Sequence, residues 1–218
     1  MAYRVEVEMC PKVTTMRSRA RPLEQPERKA ALLQTALRVF ARRGLGGARH
    51  TEIAREADVS VPTVFFYFPT REVLVHEVLT EVARFYEDMT ERIHASNRPA
   101  PEVMLAASRA FADSVTTHPD YACVVLEWST AIRSEVWPMY LQFQEKVVGI
   151  VADTIRRWRI ETGSRRLEDA ENDARVISVT GYVLAQMKMT HVPESKIDRF
   201  LQTVLYDTLG VQDLKLII

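Results

Sequence analysis

The sequence predicts an all-α protein. Three observations carry that expectation: apolar residues recur at three- and four-residue spacing along most of the chain, only 7 glycines stand among 218 residues, and no stretch of useful length alternates apolar with polar residues as a half-buried strand does. Hydrophobic residues make up 47% and charged residues 27%, the balance of a folded chain long enough for a small domain joined to a larger one.

Charge is unevenly spread. The formal total is zero, but residues 1–71 carry 13 Lys and Arg against 7 Asp and Glu, so a net +6 in front is matched by −6 behind. A basic first third points to a polyanion as partner for that part alone. Cys10 and Cys123 lie too far apart for a zinc or disulfide framework and read as free thiols of a reducing cytosol. The opening residues lack the apolar core of a signal peptide, and no run reaches the roughly 18 apolar residues of a membrane span. The expectation is a cytoplasmic protein with no membrane partner.

Taken in order, residues 1–22 read as a basic arm, because the stretch RSRARPLEQP (17–26) mixes three arginines with two prolines and has no apolar period. Met16 is a second candidate start, and residues 1–15 carry no assigned role. From Glu27 a helix places Ala31, Leu32, Ala36, Leu37, Val39 and Phe40 at helical spacing, and Arg42, Arg43 and then Gly44 close it with cations and a residue free to turn left-handed. Thr51 to Ala57 forms a short helix with Ile53, Ala54 and Ala57 on one face. Asp58-Val59 turns the chain, and Ser60 offers its oxygen as N-cap to a helix that tolerates Pro62 in its first turn and runs to Phe68. Two such helices joined by a tight turn make a helix-turn-helix, within a domain spanning 23–70. Thr70 caps a long helix from Arg71 that carries Leu74, Val78, Val82, Tyr86 and Met89. Further helical stretches fall at 102–117, 120–132, 136–163, 168–190 and 194–209, so that 71–218 reads as a larger helical domain.

No catalytic constellation is present. The sequence has no nucleophile elbow, phosphate loop or HExxH, and Gly44, Gly46 and Gly47 follow a helix where a dinucleotide fingerprint would follow a strand. The histidines are scattered, His118 reads as a helix terminus, and Glu127, Arg133 and Glu135 read as helix-surface charges. Neither enzyme activity, metal nor cofactor is expected.

The segment RHTEIAREADVSVPTVFFYFPTREVLVHEVL (49–79) strongly resembles the DNA-binding signature of the TetR family, with Asp58 standing where that family usually has Gly. Within the family, FARRGLGGARHTEIAREADVSVPTVFFYFPTRE (40–72) and EWSTAIRSEVWPMY (127–140) look like the quorum-sensing master regulators of the LuxR/HapR/SmcR group. The resemblance implies a TetR-like fold, a three-helix DNA-binding domain followed by a larger dimerisation and ligand-binding domain, and a homodimer acting on a palindromic double-stranded DNA operator. A helical ligand-binding or scaffold protein that keeps a non-operator-binding helix-turn-helix is the alternative reading.

Physical reasoning assigns roles within that frame. A short helix in the major groove brings Thr63 and Phe66 to base edges, with Val61 and Pro62 beside Phe66 against thymine methyl groups. His50, Thr51, Tyr67, Thr70 and Arg71 fall at positions suited to phosphate contact, and the N-cap Ser60 belongs to the same DNA-binding set. Relatives can carry Asn at the position of Phe66, so Phe exchanges hydrogen-bond readout for apolar contact. Arg17, Arg19 and Arg21 resemble the arm that such regulators place near the minor groove. Two apolar stripes near the end of the chain are the expected dimer surface: Val176, Val179 and Val183 on one helix, and Ile197, Phe200, Leu201, Val204 and Leu205 on the next. The resemblance also implies a pocket for a small apolar ligand, for which the candidate lining is Tyr86, Met89, Phe111, Val125, Trp128, Tyr140, Gln144 and Gly181.

Overall fold

The computed structural model describes residues 24–132, 134–163 and 169–209, and these form helices and no strand, the all-α architecture expected. In chain order the helices are α1 (Gln25–Gly47), α2 (His50–Ala57), α3 (Val61–Tyr67), α4 (Arg71–His94), α5 (Ala100–Thr117), α6 (Pro119–Trp128), α7 (Trp137–Glu161), α8 (Ala170–Met189) and α9 (Glu194–Leu209). The chain divides into two compact units. One runs to Val82 and includes His118–Val136; the other comprises Ala83–Thr117 and the chain from Trp137 onward. The division therefore falls inside α4, later than the boundary at residue 71 drawn from sequence, and His118–Val136 joins the first unit because α6 packs on α1.

In the first unit, Leu32, Ala36, Leu37 and Phe40 of α1 are buried together with Ile53, Val64, Phe68, Leu74 and Val78. From α6, Val124, Val125 and Trp128 are fully buried as well, and the Trp128 indole donates to the Val136 carbonyl at 3.0 Å. Glu24 opens α1 by donating its backbone N–H to the Glu27 carboxylate at 3.2 Å. The expected end of this helix at Gly44 is a break with one more turn beyond it: Gly44 takes φ 76°, and the helix resumes to Gly47. A Cβ on Gly44 would lie 2.9 Å from Glu127 Oε1. That same oxygen accepts the Leu45 N–H at 2.9 Å, so Glu127 closes a backbone break and is not a plain surface charge. Arg71 completes the clamp by donating to the carbonyls of Ala48 and Leu45, two acceptors left over at the end of α1.

In the second unit α8 packs against α5, α7 and α9. Val103, Met104, Ala112, Val151, Ile155 and Leu184 form its core, to which α9 adds Ile197, Leu201 and Leu205, exposed by only 2%, 1% and 1%. Those three residues, expected at a subunit interface, are thus buried in the core of the chain itself. Arg159 is buried at the base of this core, where it donates to the Asp173 carboxylate and the Thr208 carbonyl. A buried cation is tolerable only when paired and hydrogen-bonded in this way. Close approach of α5 and α8 depends on Gly181, whose absent Cβ would meet the Phe111 ring at 3.1 Å. Among the described residues no helix is long and apolar enough to cross a membrane.

Candidate nucleic-acid interface and ligand cavity

α2 and α3 meet through a turn that the sequence sets residue by residue. Asp58 takes the left-handed conformation (φ 56°, ψ 44°) that its short polar side chain permits, and the Val59 N–H returns to the Ala54 carbonyl at 3.0 Å. Ser60 then caps α3, accepting the Thr63 N–H at 3.3 Å, with its hydroxyl 2.8 Å from that of Thr63. Val64 and Phe68 anchor α3 in the core, which turns Phe65 and Phe66 outward at 45% and 67% exposure. Two phenylalanines exposed on one short helix are unusual for a surface with nothing to bind. Pro62 is exposed beside them, Val61 and Thr63 are partly exposed, and Tyr67 sets its ring edge-on to Phe66 at 5.1 Å.

The structure redistributes several expected phosphate contacts. His50 is buried: its Nε2 lies 2.8 Å from the Phe68 carbonyl oxygen and its ring stacks on Phe65 at 4.2 Å, so it ties α2 to α3 and does not face a partner. Arg71 spends its guanidinium on the end of α1, as described above. Thr70 caps α4 by accepting the Val73 N–H at 3.3 Å. The backbone N–H of Glu72 and the Thr70 hydroxyl together hold the Glu72 carboxyl below its ordinary range. Thr51 remains exposed at the start of α2, next to the exposed Arg49, a residue that the sequence reading passed over. Arg42 and Arg43 face α2 and pair with Glu52 and Glu56. Burial pushes the Glu52 carboxyl up, but hydrogen bonds from Arg43 and Arg42 outweigh it and leave the group below its usual value. Arg17, Arg19 and Arg21 lie outside the described residues.

The second unit contains a cavity of about 60 Å³ between α4, α5, α7 and α8. Of the expected lining, Met89, Phe111 and Gly181 contribute to its wall. Val125 and Trp128 do not, being core residues of the first unit. Tyr86 is buried with its hydroxyl 2.9 Å from that of Ser114, Tyr140 donates to the Tyr182 hydroxyl at 3.2 Å, and Gln144 is a half-buried residue of α7 outside the wall. In place of these the wall takes Ile93, His94, Met104, Val151, Ile177 and Ser178. His94 is 5% exposed, and its Nδ1 lies 2.8 Å from the Thr154 hydroxyl. Burial, with the nearby Arg157 cation, pushes its pKa down to about 4, so the ring is neutral.

Of the residues expected at a dimer surface, some are exposed. Val176, Val179 and Val183 line the outer side of α8 at 51%, 50% and 38% exposure, with Phe200 and Val204 of α9 partly exposed. Tyr206, at 49%, adds an exposed ring on α9 that the sequence reading did not single out.

Residues 32–78 match the family model for bacterial regulatory proteins of the tetR family. Over 125 residues the chain is 42% identical to the HTH-type transcriptional regulator LuxR of Vibrio harveyi; the match takes in 57% of this chain and 60% of that protein. Two solved structures share the fold at 18% identity. One is the transcriptional regulator FadR from Bacillus subtilis in complex with stearoyl-CoA, with a TM-score of 0.65 over 84% of this chain and 99% of that one. The other is a cysteine mutant of the TetR family regulator CifR complexed with operator DNA, with a TM-score of 0.64 over 86% and 98%. The helix-turn-helix signature, the LuxR match that runs beyond it and the common all-α fold agree: residues 32–78 are similar to bacterial regulatory proteins of the tetR family, and the chain, which spans 60% of the length of LuxR, shares the fold of such regulators.

Proposed function

We propose that this protein is a sequence-specific DNA-binding transcriptional regulator of the quorum-sensing master-regulator type, acting as a homodimer on a palindromic operator and modulated by a small apolar ligand. The observation that carries the reading is α3, a recognition helix whose Ser60 cap and buried Val64 and Phe68 fix its orientation while Phe65 and Phe66 stay exposed. Identity to LuxR over 125 residues supports the quorum-sensing type, and CifR with operator DNA is a precedent on the same fold for the class of partner.

Base readout falls to the exposed face of α3. Phe66, Val61 and Pro62 offer apolar contact to thymine methyl groups, and Thr63 offers a hydroxyl that its bond to Ser60 holds in place. Phosphate contact falls to Thr51, Ser60, Tyr67 and Arg49, with Arg17, Arg19 and Arg21 supplying the arm. Dimerisation uses Val176, Val179, Val183 and the outer residues of α9, Phe200 and Val204. A ligand that binds one conformer of the dimer better than the other shifts the population toward or away from DNA binding.

Selection of sites from a random duplex pool at physiological salt tests the proposal. Enrichment of a palindrome, with affinity that falls steeply as salt rises, is the expected result. Failure to enrich any sequence, with and without added small apolar ligands, overturns the operator-binding reading.

A further inference from the structure

Among the described residues, two buried side-chain atoms lack a hydrogen-bond partner, His94 Nε2 and Ser178 Oγ, and both residues line the same cavity. Neighbouring hydroxyls are not left this way. Thr90, also in the wall, donates to the Tyr86 carbonyl at 2.7 Å, and Thr180 on α8 turns back to the Val176 carbonyl at 2.8 Å. Ser178 could have done the same one turn earlier and does not. Unsatisfied buried polar atoms are rare because they cost the water they gave up, so two of them on residues that line one apolar cavity form a recognition feature.

The geometry also says which chemistry is missing. Thr154 donates its one hydroxyl hydrogen to the Ile150 carbonyl at 3.3 Å, so toward His94 its oxygen accepts and Nδ1 carries the proton. Nε2 of the neutral ring is then a bare lone pair that needs a donor. Ser178 Oγ, on another residue of the same wall, is able to donate. The simplest uncharged group that gives one hydrogen and takes one at a single atom is a hydroxyl. A carboxylate would set a second lone pair against Nε2, and an ammonium would be buried beside the Arg157 cation that already bears on His94.

We propose that the cavity binds a small, uncharged, mainly apolar molecule through a hydroxyl group that donates to His94 Nε2 and accepts from Ser178 Oγ. This rests on the reading of the second unit as a ligand-binding domain and specifies the ligand's polar end. The cavity, at about 60 Å³, well exceeds the roughly 10–15 Å³ that one water needs, enough for the hydroxyl and the first few carbons. Met89, Ile93, Met104 and Phe111 supply the apolar wall for the remainder.

The test uses the full chain and two isomeric probes of equal heavy-atom count, 1-butanol and methyl propyl ether, of which only the first has a donor. Ligand-observed NMR titration is expected to give roughly tenfold tighter binding of the alcohol, the value of one or two buried hydrogen bonds. On the native protein the ¹⁵N resonance of His94 Nε2 is expected to shift with the alcohol and not with the ether. Ser178→Ala should cut alcohol affinity severalfold. Equal binding of both probes overturns the hydroxyl assignment and leaves the ligand-binding reading standing. Alcohol binding that moves neither the His94 resonance nor with Ser178→Ala overturns it too, by placing the probe elsewhere. Absence of binding by either probe overturns the assignment and the ligand-binding reading together.

Discussion

Acidification should destabilise this protein through His94 before its carboxylates begin to protonate. In the unfolded chain the imidazole takes up a proton near pH 6.5; in the folded protein burial and the Arg157 cation delay that to about 4. Between those values the unfolded state binds more protons than the folded one, so stability rises with pH across the window. The contribution is complete above pH 6.5, is lost progressively as pH falls, and levels off below 4. At about 1.4 kcal/mol per pH unit the gap is worth about 3 kcal/mol, a large part of the roughly 5–15 kcal/mol that holds a domain folded. His94→Gln removes the titration and keeps a polar group of similar reach toward Thr154. Urea-unfolding midpoints of native and variant protein, taken from neutral pH to about 4 at one fixed protein concentration, isolate the effect, because every other titrating group is common to both. Native stability should fall more steeply than that of the variant between pH 6.5 and 4. Parallel curves would refute the reasoning and mean that His94 is solvated or paired in the folded protein.

Phe66→Ala should chiefly alter sequence preference, whereas Tyr67→Phe should weaken selected and unrelated duplexes alike by about 1 kcal/mol, one phosphate hydrogen bond; the reverse pattern in paired affinity measurements would exchange their roles. Deleting residues 1–21 should flatten the dependence of log affinity on log salt by about 2 to 3 if Arg17, Arg19 and Arg21 each release a counterion, and an unchanged slope would remove them from the interface. Val179→Lys, on the exposed side of α8, should give a folded monomer by sedimentation, while Leu201→Ala, on the buried side of α9, should cost about 2–5 kcal/mol of stability. A Val179→Lys protein that stays dimeric would move the interface off α8. Gly44→Ala should cost about 1–3 kcal/mol by forcing a side chain to φ 76° with its Cβ against Glu127, and a urea midpoint equal to the native one would show that the break is relaxed.

The helix-turn-helix was legible in the sequence because its determinants are local. A cap at Ser60, a left-handed residue at Asp58 and apolar anchors at helical spacing act within a few residues of one another, and the structure shows each doing what its chemistry dictates. What pattern could not supply was the partner. α8 has apolar residues all round, and only packing tells that Ile177 and Leu184 meet the core while Val176, Val179 and Val183 do not. The α9 stripe was equally visible, but Ile197, Leu201 and Leu205 are consumed by α5 and α8. The cavity was hardest to foresee, since its wall is drawn from four helices and its unpartnered polar atoms belong to a histidine at the end of one and a serine midway along another. Neither residue carries a signal in the one-dimensional pattern. Their meaning lies in the partners they lack. His50 illustrates the converse, because a histidine at a helix N-terminus next to a recognition helix looks like a phosphate ligand until its ring is seen to be bonded to Phe68.

Charge in the first unit repeats that lesson with a consequence for DNA recognition. Residues 1–71 are strongly basic in sum, yet Arg38, Arg42 and Arg43 are engaged by Glu52 and Glu56, Lys29 pairs with Glu77, and Arg71 is spent on backbone carbonyls. α3 itself has no charged residue. On the proposed reading, electrostatic attraction therefore comes from Arg49 and from the arginines of the arm, while discrimination comes from an apolar helix face. Affinity and specificity then sit on different segments of the chain. Salt should weaken binding to all duplexes in the same proportion and leave the ranking of operators intact, because phenylalanine against a thymine methyl group releases no counterion and arginine against a phosphate reads no base.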